Sequence, residues 1–91
     1  MYRVSDGVRS THGLDGAIVL DVQRGQMFNL NRVGSRILEL LEGGSAEPDI
    51  VNVITQEFNT SREVVENDVQ EFIVSLRQHK LVSDRQHTEG L

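Results

Sequence analysis

The residues of this chain that could do chemistry are few and poorly spaced for it. Its three histidines, His12, His79 and His87, show neither the HxxxH nor the HxH spacing that brings two imidazoles onto one metal. There is no cysteine, hence no thiolate ligand and no disulfide framework. No serine, histidine and aspartate can be aligned into a nucleophile, base and orienting group. Gly7, Gly13 and Gly16 do not lead into the Lys-Ser/Thr pair of a phosphate loop. The expectation is a protein without catalytic turnover, metal or cofactor. Most carboxylates have local explanations: Asp21 opens a turn, Glu47 and Asp49 sit at the start of a helix, and Glu63 fits a helix cap. His79 suits a helix C-terminus, where the dipole favours a positive group. Asp68 stands apart, at the edge of an apolar stripe formed by Val65, Val69 and Phe72. It is either a solvated helix carboxylate or a group that hydrogen-bonds a bound partner.

The elements that would position such a residue can be read along the chain. Val8 to Thr11 alternates weakly and reads as a first strand, followed by turn chemistry from Gly13 to Gly16. Ala17 to Asp21 is apolar and β-branched, a strand with at least one buried face. Asp21 to Gly25 is a hairpin connection in which Gly25 takes a positive φ. Gln26 to Leu30 returns as the next strand, with Phe28 and Leu30 on one face and Met27 and Asn29 on the other. Asn31 caps a helix that runs to about Leu41, with Val33, Ile37, Leu40 and Leu41 at helical spacing. Gly34 in its first turn is expected to permit tight packing against the sheet, or else close approach of another backbone. A second helix starts near Ala46 and carries Ile50, Val51, Ile54 and Phe58. Thr60 and Glu63 form a capping box for a third helix that runs to about His79. Leu81 and Val82 read as a short extended end. The predicted core is Phe28, Leu30, Ile37, Ile54, Phe58, Val69, Phe72 and Leu76.

Length and charge bound what such a chain can be. Its 91 residues make one small domain over residues 1–82, and the polar stretch 83–91 reads as a disordered tail. The longest apolar run falls far short of the ~20 residues a membrane helix needs, and the N-terminus lacks an apolar signal core. A cytoplasmic protein that uses no membrane is the expectation. The formal net charge of -5 argues against general affinity for nucleic acid, which needs surplus lysine and arginine to neutralise phosphate.

The ordered series Asp15-Gly16-Ala17-Ile18-Val19-Leu20-Asp21, Gly25, Phe28, Leu30-Asn31, Gly34, Ile37, Leu40-Leu41 resembles the signature of PqqD-like proteins. Asp68-Val69, Phe72, Leu76 and Leu81-Val82 extend the resemblance over residues 4–82. The resemblance implies an α+β, winged helix-turn-helix-like fold, with a three-stranded antiparallel sheet followed by three helices. It implies a non-catalytic recognition element that binds the leader segment of a ribosomally made precursor peptide. Such an element presents the leader to a maturation enzyme, a radical S-adenosylmethionine enzyme or a leader peptidase. Carried onto this sequence, the leader would add as a strand along Gln26, Met27, Phe28, Asn29 and Leu30. Its side chains would rest against Val64, Val65, Asp68 and Val69. On that reading Val65→Glu weakens binding and leaves the fold largely intact. Two positions depart from the family pattern. Met27 stands where an aromatic is frequent, and Lys80 where glycine often precedes the final Leu-Val.

The rival reading is a winged-helix DNA-binding regulator with the same architecture. It needs basic residues near the start of the third helix. That helix offers Arg62 and then Glu63, Glu66, Asp68 and Glu71.

Overall fold

The computed structural model describes residues 2–84, so the expected tail from residue 85 onward lies outside the described residues. Three strands form an antiparallel sheet in chain order, β2 (Val8–Gly13), β3 (Gly16–Asp21) and β4 (Gln26–Leu30). Strand β3 is central, and its alternation sets the faces. Ala17, Val19 and Asp21 point into the molecule, while Ile18 and Leu20 point out. Glycine is required at position 16, where φ is +148° and a Cβ would collide with the Leu30 carbonyl oxygen.

The β3–β4 hairpin is held by Asp21, which is only 1% exposed. Its Oδ1 accepts the Arg24 N–H at 3.1 Å, and its carbonyl accepts the Gly25 N–H at 2.8 Å. Gly25 has φ +66°, as the turn chemistry requires. Helix α1 (Arg32–Glu42) begins where expected, with Asn31 Oδ1 accepting the Gly34 N–H at 2.8 Å. It buries Ile37, Leu38 and Leu41.

Helices α2 (Glu47–Phe58) and α3 (Arg62–Gln78) complete the order. The capping box expected at Thr60 and Glu63 does not form. Ser61 is the N-cap residue and makes no side-chain cap bond, while the Thr60 hydroxyl donates to the Phe58 carbonyl at 3.0 Å. Helix α3 ends in a Schellman arrangement. The Leu81 N–H donates to Leu76 O at 2.9 Å and the Lys80 N–H to Arg77 O at 3.0 Å. Lys80 lies in the left-handed region, φ +62°, at the position where the family pattern favours glycine. The chain then pairs β5 (Val82–Asp84) with β1 (Tyr2–Val4) in a separate two-stranded ladder. Ser83 and Asp84 therefore belong to the folded domain, whereas the sequence placed them in the tail.

The core is aliphatic. Ile37, Ile54, Val69 and Leu76 are buried as expected, together with Val19, Leu38, Ile50, Val65 and Ile73. Leu30 and the aromatics Phe28, Phe58 and Phe72 are only half-buried and pack against its margin. The rings fill seams between elements. Phe28 meets His79 edge-on at 5.0 Å, and Arg32 lies over Phe58 at 5.6 Å.

Candidate functional site

Strand β4 has β3 on one side and, among the described residues, no strand on the other. Which of its main-chain groups face that open side follows from the pairing. The Val22 N–H donates to Gly7 O at 3.0 Å, which marks Val8–Asp21 as a pair that does not exchange hydrogen bonds. Asp21 therefore turns its N–H and C=O toward β4. Because the direction alternates, Gln26, Phe28 and Leu30 bond back to β3. The N–H and C=O groups of Met27 and Asn29 face outward. An antiparallel edge with free donors and acceptors is a template for a further extended segment.

Helix α3 lies along this edge. Phe28 touches His79 near the helix end, and Asn31, just past the strand, lines a cleft with Asp68, Glu71 and Phe72. The helix line that flanks β4 is thus Asp68, Phe72, Ser75 and His79, spaced by three or four residues. Val64 precedes Asp68 by one turn and is 48% exposed. The cleft itself has a volume of about 470 Å³. Val33, Gly34 and Ile37 of α1 form one wall, and Asp68, Glu71 and Phe72 of α3 the other. Gly34 has a packing reason, but its partner is α3 and not the sheet. A Cβ there would stand 3.2 Å from the Phe72 ring and 3.3 Å from Asn31 Oδ1.

The residues singled out from the sequence divide into two groups. Gln26, Met27 and Asn29 are exposed along β4, and Phe28 and Leu30 are half-buried beneath it. Val64 and Asp68 are exposed on α3. Val65 and Val69, by contrast, are 3% and 0% exposed and belong to the core. They turn away from the edge because residues 65, 69, 73 and 76 form the adjoining stripe of the helix, which is buried, so Val65→Glu should disrupt the fold rather than leave it intact. Phe72, Glu71, Asn31 and Val33 were not anticipated as site residues. The signal was present in the helical period, since counting from Asp68 by three or four reaches Glu71 and Phe72.

The electrostatics of the two seams of α1 differ. Toward α2, Arg36 donates two hydrogen bonds of 2.9 Å to Glu57. Those bonds hold the Glu57 carboxyl below the usual carboxylate range and raise the Arg36 guanidinium. Toward α3, Asp68 makes no ion pair among the described residues, and Glu71 only accepts from Asn67 at 3.5 Å.

One cluster does look like a hydrolytic series. His12 Nδ1 lies 2.7 Å from Ser35 Oγ, and His12 Nε2 lies 3.3 Å from Glu42 Oε1. Ser10 Oγ donates to Glu42 Oε2 at 2.7 Å. Ser35 is 5% exposed, however, so its hydroxyl is closed to a substrate. The network pins β2 to α1.

A family model described as coenzyme PQQ synthesis protein D (PqqD) matches residues 16–82, well over half of the chain. The chain belongs to the PqqD family. No curated protein matches it. Two solved structures are similar to this PqqD-family chain. One is TbiB1 in complex with the TbiA(beta) leader peptide, with a TM-score of 0.83 and 38% identity over 89% of this chain and 94% of that one. The other is lasso peptide synthetase B1 complexed with the leader peptide, with a TM-score of 0.82 and 22% identity over 91% of this chain and 98% of that one. The second likeness bears on the fold alone.

Proposed function

We propose that this PqqD-family protein is a non-catalytic peptide chaperone that binds the leader segment of a ribosomally made precursor peptide. The leader adds antiparallel to β4 over Gln26–Leu30, beside α3, and the protein presents it to a maturation enzyme in the cytoplasm. A radical S-adenosylmethionine enzyme and a leader peptidase are the two partner classes that fit. The observation that carries the reading is the free main-chain edge of Met27 and Asn29, on a strand whose Phe28 meets His79 of α3 and which ends at Asn31 on the cleft with Asp68 and Phe72, in a chain similar to a protein solved with a leader bound. Main-chain bonds give affinity with little demand on sequence, and the α3 side supplies selection. Val65 and Val69 contribute by holding α3 in place, and Val64, Asp68 and Phe72 offer the contact surface. The DNA-binding alternative gains nothing from the exposed face of α3, where Glu63, Glu66, Asp68 and Glu71 would repel phosphate.

Two proline variants test the reading. Met27→Pro removes an outward N–H, so the protein should stay folded while leader affinity falls about tenfold or more. Phe28→Pro removes an N–H bonded to β3 and should disrupt the fold. The measurement is an amide-shift titration of the full chain with synthetic leader, the TbiA(beta) leader serving as the first probe. Shifts should follow Gln26–Leu30 and Val64–Phe72. Shifts confined to α2, with Met27→Pro binding normally, would sink the proposal.

A further inference from the structure

We infer that the α1–α3 cleft selects a basic residue of the leader, lysine or arginine, placed just before the segment that pairs with β4. The inference rests on the leader-strand reading and adds the side-chain class that it leaves open.

Direction comes first. Strand β4 runs from Gln26 to Leu30 and passes into the cleft at Asn31. An antiparallel partner runs the other way, so the residues preceding its paired segment lie over Asn31, Gly34 and Asp68. Its later residues leave past the Asp21–Gly25 hairpin.

The cleft has two chemistries in layers. Its apolar lining is made by Val33, Ile37 and the half-buried Phe72 ring on the facing walls. Its α3 rim carries Asp68 and Glu71, one turn apart and both exposed. A side chain with an aliphatic stem and a cationic head matches that layering, since it can lay the stem on apolar surface and keep the charge at the rim. Arginine adds a planar face for the Phe72 ring.

Among the described residues no cation pairs with this rim. Arg36 is committed to Glu57 and Glu39, at 2.9 and 3.5 Å. Arg32 sits over Phe58, and Arg62 pairs with Glu66 at 3.7 Å. A tyrosine could also enter the cleft and donate its hydroxyl to Asp68, but one acceptor would serve it. Two carboxylates that pair with no cation among the described residues, on a chain of net charge -5, favour a positive head.

The test is a displayed library of random 14-residue peptides, sorted in parallel against the full chain and against Asp68→Asn/Glu71→Gln. Peptides enriched on the parent should carry Lys or Arg at one fixed offset before an extended apolar-alternating segment. Binders resynthesised with that residue as alanine should lose about three- to tenfold in affinity, and raising salt should weaken the parent peptide more than the alanine version. The double variant should bind both versions alike. Overturning results are enrichment of tyrosine or phenylalanine at that offset, no residue preference there, or a basic preference that persists in the double variant. Amide shifts distinguish the failures. Binders that shift Gln26–Leu30 without a basic preference remove this inference alone. A library that yields no binder on β4 removes the leader-strand reading with it.

Discussion

Helix α1 meets its two helical neighbours in opposite ways. Against α2 the seam is closed: Arg36 grips Glu57 through two hydrogen bonds, and Arg32 covers Phe58. Against α3 the seam closes only where Phe72 rests on Gly34, and then opens into the cleft bounded by Asp68 and Glu71. Along an adjoining stripe α3 packs Val65, Val69, Ile73 and Leu76 into the core. A single helix therefore carries a stripe that holds the domain together and a neighbouring stripe that lines the open cleft. Neighbouring positions such as Val64 and Val65 then have different jobs, and substitution should separate them.

The largest effect should come from the core stripe. Val65→Glu places a carboxylate at a position that is 3% exposed, within the aliphatic core. Burying an unpaired charge costs several kcal/mol, a large share of the ~5–15 kcal/mol that stabilises a small domain. Thermal melting should lose its cooperative transition. Asp68→Asn, three residues on, should melt with the parent. If Val65→Glu also melts normally, the division of α3 is wrong.

Phe72 lies where the two stripes meet, so its truncation should be intermediate. A fully buried Phe→Ala costs about 3–5 kcal/mol. Phe72 is half-buried at the cleft wall, and we expect about 2–3 kcal/mol in denaturant unfolding, scaled down from that figure. A loss at the upper end would mean that the ring acts as core and the cleft is shallower in solution.

Lys80 offers a change in the other direction at the end of α3. Its φ of +62° is a conformation that disfavours a Cβ. Lys80→Gly relieves that strain and gives back part of the gain through the added freedom of the unfolded chain. The net should be a stabilisation of up to about 1 kcal/mol, read as a raised melting temperature. A lowered melting temperature would show that the Lys80 side chain contributes contacts that outweigh the strain.

The closed seam should yield the smallest effect. Glu57 and Arg36 are 42% and 36% exposed, so solvent screens the pair and Glu57→Gln should cost at most about 0.5 kcal/mol. The sign of its pH dependence is fixed. The folded carboxyl titrates below its unfolded value, so its contribution is present above the unfolded pKa and fades as pH falls through the folded one. The difference between parent and Glu57→Gln should therefore vanish in acid. A difference that persists below the carboxylate range would assign the effect to packing.

Much of this protein was legible in its residues. The hairpin at Asp21 and Gly25, the cap at Asn31, the strand from Gln26 to Leu30 and the aliphatic stripe of α3 all rest on local rules of turn chemistry and periodicity. Such rules act over a few residues, and tertiary contacts did not override them here. The alternation of β4 even separated Met27 and Asn29 from Phe28 and Leu30. Three things needed the folded chain. Pairing of β1 with β5 joins the two ends of the domain, and no local signal links Tyr2 to Asp84. Thr60 lost its capping role because the helix begins one residue later, with Ser61 at the cap position. The third is the site. Periodicity groups Val64, Val65, Asp68 and Val69 near one another, but only the placement of α1 and β4 against α3 decides that Val65 and Val69 are covered while Asp68 meets Asn31 and Phe72 across an open cleft.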